Sequence, residues 1–337
     1  MHMPVWDWFQ QRSFHHHDFT DLDSRAATIT LILPTREVAG TIGPILDTLA
    51  GLNERSGLVD QVLVVDADSV DGTADIARAH GVEVYSENEL LPEFGPALGK
   101  GDAMWRSLSV ARGDIIMFAD TDTQDFGSHF VYGTLGPLLT MPGVRFSKGA
   151  YRRPFTNDAQ SVVDGGGRVT ELTAKPLLNF FFPELTGFVQ PLAGEFAAYR
   201  EVLYRIPFLT GYGVEIALLV DVLSDVGLSA MAQVDLGSRQ NRHQALWDLT
   251  RMSSTVLRAL ARRVPALEQR ELAPRAVDVL DLRGPETYLH AVATKAGLRL
   301  DEHINELTER PPMARVLTAP PAAGEYEYPF PARAASQ

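Results

Sequence analysis

Five consecutive apolar residues, Ile115-Ile116-Met117-Phe118-Ala119, run directly into Asp120-Thr121-Asp122-Thr123. An unbroken apolar run of this length fits a strand covered on both faces, as in parallel sheets with helices on either side. Open sheets of that kind bind ligands in the crevice beyond the carboxyl ends of their strands. Two carboxylates spaced one residue apart would project there and can share a divalent cation that neutralises a diphosphate. Taken alone, the tetrad is also open to being an ordinary polar strand-to-helix turn, since short Asp-rich turns are common.

The sequence before the run supplies more of the sheet. Residues 28–33 are β-rich and stop at Pro34; Ile42, Ile45, Leu46 and Leu49 then fall at i, i+3, i+4 and i+7, one apolar helix face. A strand over 61–65 leads into the cap-rich loop Asp66-Ala67-Asp68-Ser69 and a helix over 74–80. A strand over 82–85, a Pro/Gly-rich loop over 90–99 and a helix over 101–111 precede the central run. Repeated strand–helix units with short connections predict an α/β fold with a Rossmann-like, mostly parallel sheet flanked by helices. No Gly-x-Gly-x-x-Gly follows the first strand, which argues against a dinucleotide dehydrogenase.

From residue 144 the alternation loosens. Strands are expected over 144–150 and 232–236, and helices over 169–182, kinked at Pro176, over 214–226 and over 248–264. Residues 1–27, which include His15-His16-His17, are expected to form a solvated arm rather than a metal site. The Pro- and Ala-rich stretch over 311–337 is expected to wrap the surface or a partner.

At 337 residues and 45% hydrophobic content the chain can bury a substantial core. Its net charge of −13 argues against non-specific nucleic-acid binding, while leaving room for a local basic pocket. The absence of cysteine excludes disulfides and thiol catalysis. With no run of 18 apolar residues and no secretory pattern at the start, a cytoplasmic, soluble protein without stable membrane insertion is expected.

Several polar groups converge on the same sheet edge. Pro34-Thr35-Arg36-Glu37 leaves the first strand, and Asp66 and Ser69 close the second. Gly99-Lys100-Gly101 opens a helix, where a lysine beside free amides suits a phosphate. Lys148, Tyr151, Arg152, Arg153 and Arg168 form a basic group in an acidic chain, with Arg168 behind three glycines. Such a group would fit a small acceptor carrying carboxylate and phosphate, the alternative being a surface charge cluster. Glu215 starts an apolar helix after Gly211-Tyr212-Gly213 and is either a functional group or a dipole partner. His243 follows the strand over 232–236 and could complete a metal site with Asp122.

Together these residues resemble the retaining glycosyltransferases of GT-A fold that make glucosyl-3-phosphoglycerate or mannosyl-3-phosphoglycerate. The resemblance spans residues 28–250 and rests on Gly99-Lys100-Gly101, Asp120-Thr121-Asp122, Tyr151-Arg152-Arg153-Pro154, Gly165-Gly166-Gly167-Arg168-Val169-Thr170, Pro191-Leu192-Ala193-Gly194-Glu195 and Gly211-Tyr212-Gly213-Val214-Glu215. It implies a nucleotide-sugar half over 28–143 and an acceptor half over 144–310. Pro34, Thr35, Glu37, Asp66, Ser69, Lys100, Asp120, Thr121 and Asp122 would line the nucleotide-sugar. Gly167, Arg168 and Thr170, with Arg152, would hold 3-phosphoglycerate. Leu192 would offer its backbone near the anomeric carbon, and Glu215 would orient sugar or acceptor. Asp122, with His243, would ligate Mg2+ or Mn2+; Asn241 is the stricter positional match for the family's histidine. The implied protein is a homodimer that transfers mannose, from GDP-mannose, to 3-phosphoglycerate. The alternatives are a glucosyl enzyme using UDP- or GDP-glucose, a sugar nucleotidyltransferase, and a non-catalytic nucleotide-sugar binding module.

Overall fold

The protein is described from a computed structural model over residues 3–20, 22, 27–156, 161–162, 166–239, 245–264, 286–294, 297–305 and 307–318. In chain order the strands are β1 (Ser13–His15), β2 (Ile29–Thr35), β3 (Gln61–Asp66), β4 (Glu83–Ser86), β5 (Ile115–Phe118) and β6 (Phe146–Arg152). The short pair β7 (Phe155–Thr156) and β8 (Ser161–Val162) is followed by β9 (Phe196–Tyr199), β10 (Phe208–Leu209) and β11 (Met231–Ser238). A hairpin of β12 (Glu286–Thr294) and β13 (Gly297–Asn305) precedes β14 (Glu309–Arg310). The helices are α1 (Val5–Arg12), α2 (Ala39–Ser56), α3 (Thr73–Ala79), α4 (Lys100–Ser107) and α5 (Ser128–Thr140). They continue as α6 (Lys175–Phe181), α7 (Arg200–Arg205), α8 (Val214–Val226), α9 (Leu246–Ala261) and α10 (Met313–Thr318).

Eight strands form one sheet in the order β1-β11-β6-β9-β5-β2-β3-β4, and β9 alone runs antiparallel to its neighbours. The apolar runs split by strand alternation. Ile32, Leu63, Ile116 and Phe118 enter one core layer, while Leu31, Val64, Ile115 and Met117 enter the layer on the other face. This two-sided burial is why the central strands read as continuous apolar sequence, and it makes the expected α/β sheet flanked by helices. The single reversal at β9 matters most for the site. Because β9 runs backwards, the loop that enters it lies at the same edge as the carboxyl ends of β2, β3, β5, β6 and β11.

Four local expectations need correction. β2 does not stop at Pro34 but runs to Thr35, pairing Pro34 with Val65 on β3. The last β2–β5 partners are Ile32 and Phe118, so Pro34 lies where that side of the strand is no longer paired and its missing N–H costs no ladder bond. The helix containing Pro176 is irregular upstream of the proline rather than at it. Thr170–Ala174 form a π turn, with the Lys175 N–H donating to the Thr170 carbonyl, and Pro176 falls in the first turn of α6. A wider turn relieves the clash a proline ring makes with the carbonyl four residues back.

The N-terminal arm is not a solvated one, because Trp8 and Phe19 are buried even though Trp6 stays exposed. Trp8 is 0% exposed and its indole N–H donates to the Met231 carbonyl at 2.8 Å. β1 adds a parallel edge strand beside β11. The start of the C-terminal stretch is also internal: the Trp105 indole donates to the Pro311 carbonyl at 2.7 Å, and Met313 is buried. Just before it, Arg310 forks onto buried Asp102 at 2.8 and 2.6 Å. Residues 319–337 lie outside the described residues. Among the described residues no helix is long and apolar enough to cross a membrane.

Candidate active site

A cleft of about 600 Å³ opens at the common strand edge. α4 brings Lys100 to its floor, and glycines make the approach possible. Gly99 has φ 84°, and a Cβ on Gly101 would lie 2.0 Å from the Leu209 carbonyl oxygen. The Lys100 ammonium donates to Asp120 Oδ1 and, at 2.6 Å, to Glu215 Oε1 at the head of α8. Burial opposes the lysine's charge, yet Asp120 and Glu215 outweigh it and raise its pKa. Asp120 is the mirror case. Burial favours the neutral acid, but Lys100 and Arg239 override it and hold the carboxyl well below the usual carboxylate range.

Arg239, the residue after β11, is the hub on the other side. Its guanidinium donates to Asp120 Oδ2 at 2.9 Å, Asp122 Oδ1 at 2.7 Å, Glu195 Oε1 at 2.6 Å and the Tyr151 hydroxyl at 3.0 Å. Tyr151 in turn donates to Glu195 Oε2 at 2.9 Å and accepts from Arg153 at 3.0 Å. Glu195 is fully buried, and burial pushes its pKa up despite Arg239. Gly194 permits this packing, since a Cβ there would sit 2.2 Å from Asp120 Oδ1. Lys148 on β6 donates to the Ala193 carbonyl at 2.6 Å and so braces the backbone next to Leu192; burial lowers its pKa to about 8.

Of the residues expected from sequence, the cleft brings together Pro34, Thr35, Lys100, Asp120, Thr121, Asp122, Gly167, Arg168, Thr170, Leu192 and Glu215. Glu37, Asp66 and Ser69 instead brace the loops behind it. The Glu37 carboxylate accepts from the Val70 N–H at 3.0 Å, while Asp66 accepts from Thr35 Oγ1 at 2.9 Å and from the Ser69 N–H and hydroxyl at 2.8 Å each. Arg152 ends β6 exposed to solvent, and the next residue, Arg153, lines the cleft in its place. Asn241, His243 and Gly165 lie outside the described residues. The carboxylates of Asp120 and Asp122 meet around one guanidinium, and the Asp122 side chain is 57% exposed. Hard oxygen donors set this close at an open cleft fit Mg2+ or Mn2+.

Sequence reasoning passed over two groups. Arg239 stands at a strand exit in the same way as Asp120, and that position was its available signal. Glu87, just after β4, is 8% exposed and lines the end of the cleft farthest from Arg168 in strand order. Burial, with Asp102 and Asp68 nearby, raises its pKa to about 7.

The chain as a whole is similar to proteins of known identity. Residues 30–131 match the model of glycosyl transferase family 2. Glucosyl-3-phosphoglycerate synthase of Mycolicibacterium smegmatis is 44% identical over 260 residues, 76% of this chain and 85% of that protein. The crystal structure of mannosyl-3-phosphoglycerate synthase from Rubrobacter xylanophilus matches with a TM-score of 0.85 and 55% identity, covering 94% of this chain and 99% of that one. Glucosyl-3-phosphoglycerate synthase of Mycobacterium tuberculosis, solved with Mn2+, UDP-glucose and phosphoglyceric acid, matches with a TM-score of 0.72 and 37% identity over 88% of this chain and 94% of that one. With 44% identity over 85% of the Mycolicibacterium enzyme and 55% identity over 99% of the Rubrobacter enzyme, the chain belongs to the glucosyl- and mannosyl-3-phosphoglycerate synthase family of glycosyltransferases.

Proposed function

We propose that this hexosyl-3-phosphoglycerate synthase takes mannose from GDP-mannose and transfers it, with retention, to the free hydroxyl of 3-phosphoglycerate. The observation that carries the guanine part is Glu87. In this reading Lys100 and Asp120 take the diphosphate at mid-edge, and Arg168 with Gly167 and Thr170 takes the acceptor. The base then falls toward β3 and β4, where Glu87 is the buried carboxyl lining the cleft. Guanine presents two adjacent N–H groups that a carboxylate accepts side by side, whereas uracil presents one. Mannose as the sugar is supported by the 55% identity to the Rubrobacter enzyme.

A divalent cation held by Asp122, with Asp120 beside it, would neutralise the diphosphate when bound. This chain's own groups do the rest. Lys100 and Arg239 face the position of the leaving diphosphate, where negative charge grows as the anomeric C–O bond breaks. Glu215 keeps Lys100 aimed, and Lys148 fixes the Ala193 carbonyl so that the Leu192 backbone stays beside the anomeric carbon. Asp120 and Glu215 are both tied to Lys100, and Glu195 is sealed behind Arg239, so these carboxylates are not disposed as nucleophiles for a double displacement. Front-face attack fits better. The acceptor hydroxyl bonds the anomeric carbon on the side the diphosphate leaves, and a diphosphate oxygen takes the hydroxyl proton.

The second reading, a glucosyl enzyme using UDP-glucose, is favoured by the Mycobacterium tuberculosis complex. A matrix of GDP- and UDP-linked mannose and glucose against 3-phosphoglycerate separates the two. GDP-mannose should give the highest kcat/KM, and Glu87→Gln should narrow the GDP-over-UDP preference by about 1–3 kcal/mol, the value of one two-pronged base contact. Equal use of both nucleotides by the unmodified enzyme would remove the guanine assignment.

A further inference from the structure

His15, His16 and His17 are held by the fold in a place the glycosyl-transfer site does not use. β1 fixes His15 opposite Asp235 of β11, and the next residues turn back in a short helical turn. Phe19 seats that turn on α5, where a Cβ on Gly136 would lie 2.1 Å from its ring and a Cβ on Gly133 would lie 2.9 Å from His16 Cβ. The three imidazoles cluster with ring centroids 3.9–4.5 Å apart, and one ring nitrogen from each lies within 4.8 Å of the others. A fourth ring, His129 near the start of α5, lies 4.7 Å from His16.

We infer that His15, His16 and His17, with His129 at hand from α5, form a second metal site that takes a borderline transition ion such as Zn2+, Co2+ or Ni2+ and clamps the N-terminal arm onto α5. Ligand chemistry separates it from the acid pair. Imidazole nitrogens select these ions, whereas the oxygens of Asp120 and Asp122 suit Mg2+ and Mn2+. Asp18 accepts from the His15 backbone N–H at 2.9 Å and so closes the turn that carries the rings, and Asp235 lies opposite His15 in the strand pair. His15 Nδ1 also accepts a 3.2 Å bond from the His17 N–H, a weak contact that ligation would replace. Because the site joins β1 and its turn to α5, bound metal would resist fraying of the arm, which no group in the cleft does.

Co2+ is the probe. Metal-stripped protein is kept in excess Mg2+, so that oxygen sites are filled, and titrated with Co2+ while visible absorption is recorded. One equivalent should bind with the intense d–d bands of a four-coordinate imidazole-ligated site and be displaced by Zn2+. Zn2+ at roughly a hundredfold excess over its Kd should raise Tm by several degrees, as expected for a ligand of the folded state alone. The surface pair His15→Ala/His17→Ala, and separately His16→Asn, should abolish both effects while Mn2+-dependent glycosyl transfer persists. Absence of the bands in the unmodified protein, or bands and a Tm rise unchanged in both variants, would overturn the site.

Discussion

Replacing Arg239 with methionine keeps the length of the side chain but removes the positive charge that touches Glu195, Asp120 and Asp122. Arg239 and Glu195 both have side chains 0% exposed, with N and O 2.6 Å apart, so water cannot take over for the missing partner. Breaking a buried pair from one side costs about 3–5 kcal/mol, because the remaining charge is stranded. That is a large part of the roughly 5–15 kcal/mol that holds a protein folded. Glu195→Gln alone should cost less, because Arg239 keeps the carboxylates of Asp120 and Asp122. The double variant strands neither group, and the Tyr151 hydroxyl can still donate to the amide oxygen of Gln. The two costs should therefore fall short of adding by about 0.5–3 kcal/mol. Urea unfolding read by tryptophan emission measures all three, since Trp8 and Trp105 are buried and report on both ends of the core. Additivity within about 0.5 kcal/mol, or an Arg239→Met protein as stable as the parent, would refute the network as an energetic unit.

Further outcomes follow from the cleft. Asp122→Ala should lower turnover by about 10²–10⁴, and near-normal activity in that variant with chelator present would end the metal assignment. Arg168→Ala should weaken use of 3-phosphoglycerate by about 2–5 kcal/mol while donor binding, measured by calorimetry, stays intact; loss of donor binding alone would place Arg168 on the diphosphate. Glu87, raised to about 7, should be an acceptor for guanine only when ionised. KM for GDP-mannose should therefore rise as pH falls through 7 and level off above it, and Glu87→Gln should flatten that profile; a pH dependence unchanged by the substitution would exclude Glu87 from base contact.

Much of this was legible along the chain because it is local. The strand–helix alternation up to Phe118 is set by two-sided burial, and Asp120-Thr121-Asp122 and Gly99-Lys100-Gly101 sit at element ends whose chemistry sequence displays directly. Arg239 was hidden for a different reason. Its importance comes from meeting Asp120, 119 residues away, and Glu195, 44 residues away. No periodicity records that meeting. Glu87 was hidden because a single carboxylate after a short strand looks like a solvated turn until its burial is known. The N-terminal arm misled through its histidines and its position in the chain, when Trp8 and Phe19 carried the better signal. Large aromatics seldom stay in water if a core is within reach.

The antiparallel β9 ties these pieces into one electrostatic design. With every strand parallel, the Pro191–Glu195 loop would enter at the far edge, and neither Leu192 nor Glu195 would reach the acid pair. Its reversal puts Glu195 under Arg239 and Gly194 against Asp120, so the cleft gains cations whose charge is held in place by carboxylates behind them. Lys100, Arg153, Arg168 and Arg239 all line the cleft of a chain whose net charge is −13. An overall negative field repels polyanions at a distance, while within a Debye length of the cleft the local arrangement of charges decides what a small dianion experiences. Total charge bears on polyanions and says nothing about a nucleotide diphosphate or a phosphoglycerate, whose binding would rest on a few local groups.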